Sequence, residues 1–189
     1  WTTDDQVVEL PVPGMEIHKY THPTVPVNAL HHPGLCLVVQ GSKRVQLNKS
    51  EYLYDANQFL FTSVNLPIVA SIVDASPEKP FLGILWTLDS RVASKRIADS
   101  NLPRRQKSHT ESGVALGKVT SELLSIYVRI LDMMDKPEDI PILSPLIHKE
   151  LLYRLLTGEQ GDRLRQITEA ESRSRQISKA IDRMLEHYN

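Results

Sequence analysis

Between Pro33 and Leu88 a turn signal interrupts the sequence again and again, at the roughly 8–12-residue spacing of short antiparallel strands. The apolar run 35–39 is followed by Gln40-Gly41-Ser42, and Lys43-Arg44-Val45-Gln46-Leu47 comes next. That pair predicts a hairpin with glycine in a three-residue loop. Asn48-Lys49-Ser50 turns the chain before strand 51–54, and Asp55-Ala56-Asn57 turns it before 59–62. Asn65-Leu66-Pro67 precedes strand 68–74, and the loop 76–80 precedes the last strong strand, 81–88. Nine of the 12 prolines fall at or before Pro103, so this half is punctuated throughout. The pattern predicts an all-β sandwich or barrel over residues 14–88.

The second half changes period. Residues 91–100 read as a short helix and 103–113 as a polar loop, within a basic stretch holding Arg91, Lys95, Arg96, Arg104, Arg105 and Lys107. From Val114 onward the reading is helical. Leu123, Tyr127, Ile130 and Met134 recur at i, i+4, i+7 and i+11, one apolar face of a helix over 121–135. Lys136-Pro137 ends it. After a loop over 137–143, Ser144 as N-cap and Pro145 at the first helical position predict a second helix, closed by Gly158. A third is predicted over 169–188. It stops uncapped at Tyr188-Asn189, and with Trp1 in place of Met this predicts a piece of a longer gene product. Three segments follow: 1–88, a β-barrel; 89–168, helical; 169–189, the start of a further domain. The fold class is α+β.

Charge excludes one class of function. Twenty-two Lys and Arg stand against 23 Asp and Glu, a net charge of −1, so the chain as a whole is no nucleic-acid coater. The basic stretch lacks the interleaved aromatics of a base-stacking platform, and a solvated face accounts for it. The single cysteine, Cys36, permits neither an internal disulfide nor a cysteine-based zinc site. No apolar run approaches the ~20 residues of a membrane helix. Residues 1–16 carry acids and no Lys or Arg, unlike a signal peptide, so the expected location is cytoplasmic.

No catalytic signature is present. There is no phosphate-binding glycine loop, no His-Glu-x-x-His and no nucleophile elbow. His31 and His32 are adjacent and point to opposite faces of any strand, while His18 and His22 flank no helix because Pro23 follows. Neither pair makes a metal site, so the barrel is expected to hold no metal and no cofactor.

Several short blocks, in order and at the right spacing, resemble one family. They are Pro33-Gly34-Leu35 through Val45, Tyr54-Asp55-Ala56, Ser63-Val64-Asn65-Leu66-Pro67, and Asp74-Ala75-Ser76-Pro77-Glu78 with Pro80-Phe81-Leu82. In the helical half they are 129–141, Pro145-Leu146-Ile147, 150–158, Arg163-Leu164-Arg165-Gln166 and 177–188. Together they span nearly all of 14–189 and resemble the N-terminal domain of AraC-type (AraC/XylS) transcriptional regulators. Asn57 stands where that pattern has glycine; asparagine tolerates the left-handed region, so the turn is expected to survive. The resemblance implies a cupin-like β-barrel that senses a small molecule, followed by helices for homodimerisation. Promoter DNA would be read by a helix-turn-helix domain beyond residue 189. It implies a transcription regulator and no enzyme, with a small metal-free cupin-type enzyme as the alternative.

Two sets of residues are assigned on this reading. On strand 35–40 the inward parity is either Cys36, Val38 and Gln40 or Leu35, Leu37 and Val39. On 81–88 one parity holds Leu82, Ile84, Trp86 and Leu88. Cys36, Val38, Ile84 and Trp86 are assigned to the ligand cavity, because a tryptophan beside a thiol makes a mixed apolar wall; ordinary core packing is the competing account of each. The stripe Leu123, Tyr127, Ile130 and Met134 is assigned to the dimer seam, against packing within its own domain.

Overall fold

The computed structural model describes residues 5–88, 113–159 and 161. The helices predicted at 91–100 and 169–188, the basic stretch and the loop 103–112 lie outside them. Ten strands form two antiparallel sheets. They are β1 (Gln6–Glu9), β2 (Met15–Tyr20), β3 (Val27–His31), β4 (Gly34–Gln40), β5 (Ser42–Leu47), β6 (Ser50–Asp55), β7 (Gln58–Thr62), β8 (Leu66–Asp74), β9 (Phe81–Thr87) and β10 (Val114–Lys118). Sheet A has the order β1-β2-β9-β4-β7-β10, and sheet B the order β3-β8-β5-β6. The predicted barrel is thus two stacked sheets rather than one closed sheet.

Two helices follow: α1 (Ser121–Asp132), and α2 (Ile140–Thr157), linked by 3₁₀ turns at Met133–Asp135 and Pro137–Asp139. Thr120 caps α1 by accepting the backbone N–H of Leu123 (3.3 Å). Arg129 of α1 pairs with Glu150 of α2. The molecule has three layers and two cores. Cys36, Val38, Val45, Tyr54, Leu60, Ile68, Ile72 and Phe81 fill the space between the sheets. Leu35, Leu37, Phe61, Ile84 and Trp86, on the other face of sheet A, pack against α1 and α2.

Four expectations are corrected. Residues 40–42 do not close a hairpin: β4 pairs with β7 and β9, whereas β5 pairs with β6 and β8. The turn is a corner between sheets. Gly41 sits there at φ +79°, and an added Cβ would come within 2.3 Å of the Asp74 carbonyl oxygen, so only glycine passes. The true hairpin is β5–β6, where Leu47 faces Ser50 and Asn48 takes φ 53°.

Residues 114–118 are strand, not helix. They pair with β7, and Gly117 leaves room for the Phe59 ring, which an added Cβ would approach to 2.3 Å. Because β10 belongs to sheet A and both helices share its core, a boundary at 88/89 does not separate two cores.

The second helix begins a turn earlier than its Ser-Pro signal. Pro141 occupies its first turn, which suits proline, and Pro145 lies inside the helix. Ser144 is buried rather than capping. The turn at Asn57 forms as expected, but without a positive φ: Asp55 Oδ1 accepts the Asn57 backbone N–H at 2.9 Å.

Candidate functional site

Register decides where the assigned residues point. Across β4 and β9, Leu35 faces Trp86, Cys36 faces Leu85, Leu37 faces Ile84 and Val38 faces Gly83. Directly opposed residues share a face. Cys36 and Val38 therefore point between the sheets, and Ile84 and Trp86 point toward the helices. The four do not line one cavity, and the expected common face is corrected. Both strands are buried on both sides, so neither parity was marked by polar residues.

The inter-sheet half of the set sits beside a titratable cluster. Lys43 Nζ donates to Cys36 Sγ at 3.8 Å, and the buried Tyr54 hydroxyl lies next to the same thiol. Burial, then the Cys36 sulfur, pushes the Tyr54 hydroxyl well above its ordinary range. His18 contacts Glu16 at 3.2 Å. Burial and then Lys43 pull His18 down, and Glu16 opposes them. His31 is held down to about 3 by burial, then by Lys43, His18 and His32. The histidines are therefore neutral at pH 7, and Lys43 supplies the positive charge among them. Among the described residues no three His, Cys, Asp or Glu side chains are grouped to hold a metal ion.

The helix-facing half is built differently. Trp86 is 1% exposed, with the Tyr127 ring edge-on at 5.9 Å and the His148 ring stacked at 5.2 Å. A smaller cavity, about 380 Å³, opens beside it, with Ser144, Pro145 and His148 on its helical wall. Ile84 lines a larger one of about 800 Å³ on the same face of sheet A, where α1 and α2 leave the sheet uncovered. Its walls include Val8, Leu10, Ile17 and Leu82, with Leu131 reaching in from α1 and Lys19 and Gln6 beside them. Volumes near this size suit a small organic ligand. Ile17 and Lys19 were not singled out from the sequence. The signal was present as alternation in Met15-Glu16-Ile17-His18-Lys19-Tyr20, one parity inward and the other outward.

The predicted dimer seam is also relocated. Leu123, Tyr127 and Ile130 are buried against sheet A, and Met134 is half-buried at the edge of that core. The stripe is intramolecular. Leu124 and Val128, on the opposite side of α1, are 46% and 54% exposed, and Leu146 and Tyr153 of α2 are each 54% exposed.

With the geometry in place, the comparisons decide the family. Residues 11–163 match the AraC-type transcriptional regulator N-terminus. The chain belongs to the AraC-type transcriptional regulators. Among solved structures, this AraC-type chain is similar to ToxT from Vibrio cholerae bound to (E)-4-(8-methylnaphthalen-1-yl)but-3-enoic acid. The TM-score is 0.52 at 10% identity, over 79% of this chain and 57% of that one. An apo lysine-to-alanine variant of V. cholerae ToxT gives 0.50 at 9% identity, over 76% and 56%. The AraC-like transcriptional activator CuxR gives 0.47 at 10% identity, over 77% and 53%. At such identities the likeness is one of fold, and the double sheet with its helical cover fits the cupin-like β fold that the sequence led us to expect. The chain spans a little over half the length of the solved structures it matches. No curated protein sequence matches it. Among the described residues no helix is long and apolar enough to cross a membrane.

Proposed function

We propose that this chain is the ligand-sensing and dimerising part of an AraC-type regulator, that it is not an enzyme, and that it works in the cytoplasm. The observation that carries the reading is the incomplete cover on sheet A. The helices close over the Trp86 end of the sheet and leave the Ile84 end open to a cavity of about 800 Å³. A structural core alone has no use for an opening lined by apolar side chains, whereas a small-molecule sensor needs one. That ToxT, a fold relative, is known with an organic acid bound supports the same reading.

In this reading the effector is a small organic molecule, and the homodimer forms on the outer faces of α1 and α2. Leu124, Val128, Leu146 and Tyr153 supply apolar contact there, and the buried stripe holds α1 to the sheet. Promoter DNA is the partner of the whole regulator, through a part other than the sheets and helices described above. Native mass spectrometry of the purified chain tests the first claim: a co-purifying organic molecule supports it. Sedimentation tests the second: a monomer at all micromolar concentrations refutes it.

A further inference from the structure

The large groove on sheet A has a polarity along its length. Gln6, Lys19 and Leu82 form one cross-strand row. Val8, Ile17 and Ile84 form the next, two residues or roughly 7 Å along the strands. Beyond them stand Leu10 and, from α1, Leu131. Polar side chains thus occur at one end only. Lys19 is the one charged residue in the lining, and no carboxylate lines the groove. The nearby Asp5 is committed to the backbone N–H and the hydroxyl of Thr21. At the Lys19 end a β-bulge between Val38 and Gln40 interrupts the register and leaves Val39 49% exposed against the groove.

We propose that this groove, outside the space between the two sheets, is a binding site for an amphiphile with a single acid head. The head sits at the Lys19–Gln6 row. The aliphatic or aromatic body runs along Ile17 and Ile84 toward Leu131. The inference rests on the effector reading above and names the site and ligand class. A lysine ammonium at the rim favours an anion, and a glutamine amide adds a neutral donor. The apolar rows reward length: each methylene buried strengthens binding about fourfold. Leu131 links the occupant to α1, the helix that also carries Leu124 and Val128.

The test is calorimetry on the purified chain with octanoate, decanoate and dodecanoate below their micellar concentrations, and with dodecanol. We expect one site per chain, an affinity rising about fourfold per methylene, and dodecanol binding about tenfold more weakly than dodecanoate. Lys19→Glu and Leu82→Asp change half-buried positions at the rim. Each should weaken dodecanoate about tenfold or more with little change in melting temperature. Lys43→Met, on the inter-sheet face, should leave it unchanged. Loss of dodecanoate binding in Lys43→Met with retention in Lys19→Glu would move the ligand between the sheets. That overturns this site and spares the effector reading. Failure of every probe to bind would overturn the ligand class, while a co-purified molecule of another chemistry would still support sensing. A ligand-free change of sedimentation in Leu82→Asp would mean the groove seats a second copy, which also overturns the proposal.

Discussion

Cys36 and Trp86 stand on opposite faces of one sheet: Cys36 faces Leu85 across β4 and β9, and Trp86 faces Leu35 one position away. The thiol belongs to the inter-sheet core and the indole to the core beneath the helices. Substituting one leaves the environment of the other intact.

Trp86→Ala is accordingly expected to act on stability. The indole is fully buried between Tyr127 and His148, and truncation leaves a void that a sheet cannot collapse. The cost is about 3–5 kcal/mol. Urea unfolding followed by circular dichroism measures it. Full wild-type stability would show that the indole is not the keystone of the helical layer.

Ile130 and Val128 should part company. Ile130 is fully buried, so Ile130→Glu puts a carboxylate into an apolar core and costs several kcal/mol. Val128→Glu lies on the exposed side and should leave the melting temperature within a few degrees while shifting sedimentation toward monomer. A dimer that survives Val128→Glu and Leu124→Glu together would place the interface elsewhere.

The pH response follows from His31. Its folded-state pKa, about 3, lies below the ~6.5 of an unfolded histidine. Between those values the unfolded chain binds a proton that the folded chain refuses, so stability falls as pH drops through that window. His18, lowered in the same direction, adds to the loss. The total is of order a few kcal/mol. Comparing urea midpoints at pH 7 and pH 5 checks this, and His31→Leu should flatten the difference. Lys43→Met should raise the His31 pKa, read from its ring proton shifts, because it removes the second largest cause of the depression.

Gly41→Ala tests the corner between the sheets. The position combines φ +79° with a Cβ approach of 2.3 Å to the Asp74 carbonyl. We expect a loss of more than ~1 kcal/mol, again by urea unfolding. Wild-type stability would mean that the corner can shift to accommodate a methyl group.

Turn chemistry made most strand boundaries from 34 to 87 legible, because Gly41, Asn48, Asp55 and Pro67 each do something only a few residue types can do. Partner choice was not legible. Nothing local tells Ser42 that its strand must pair with Asp55 and Asp74 rather than with the strand just left behind. The face of β4 and β9 was hidden for a related reason: a strand buried on both sides is a continuous apolar run with no phase to read. β10 was missed because five residues with a glycine resemble a helix entry until a distant strand supplies the pairing. The helical stripe was read correctly as apolar and assigned to the wrong partner, since spacing reports that a face is buried and not what buries it. The groove residues Ile17 and Lys19 were passed over because β1 and β2 are an edge pair with weak alternation.

The double burial of β4 also bears on which changes of length the chain tolerates. Leu35 and Leu37 face one interior while Cys36 and Val38 face the other. A single residue inserted or deleted in β4 would exchange the contents of both interiors at once, a disturbance no local repacking absorbs. Variation in length among related chains should therefore gather in exposed connections such as 76–79, where one backbone bond from Ser76 to the Lys79 carbonyl closes the turn. Grafted tags or reporter peptides belong there, and the central strand of sheet A is the place to leave untouched.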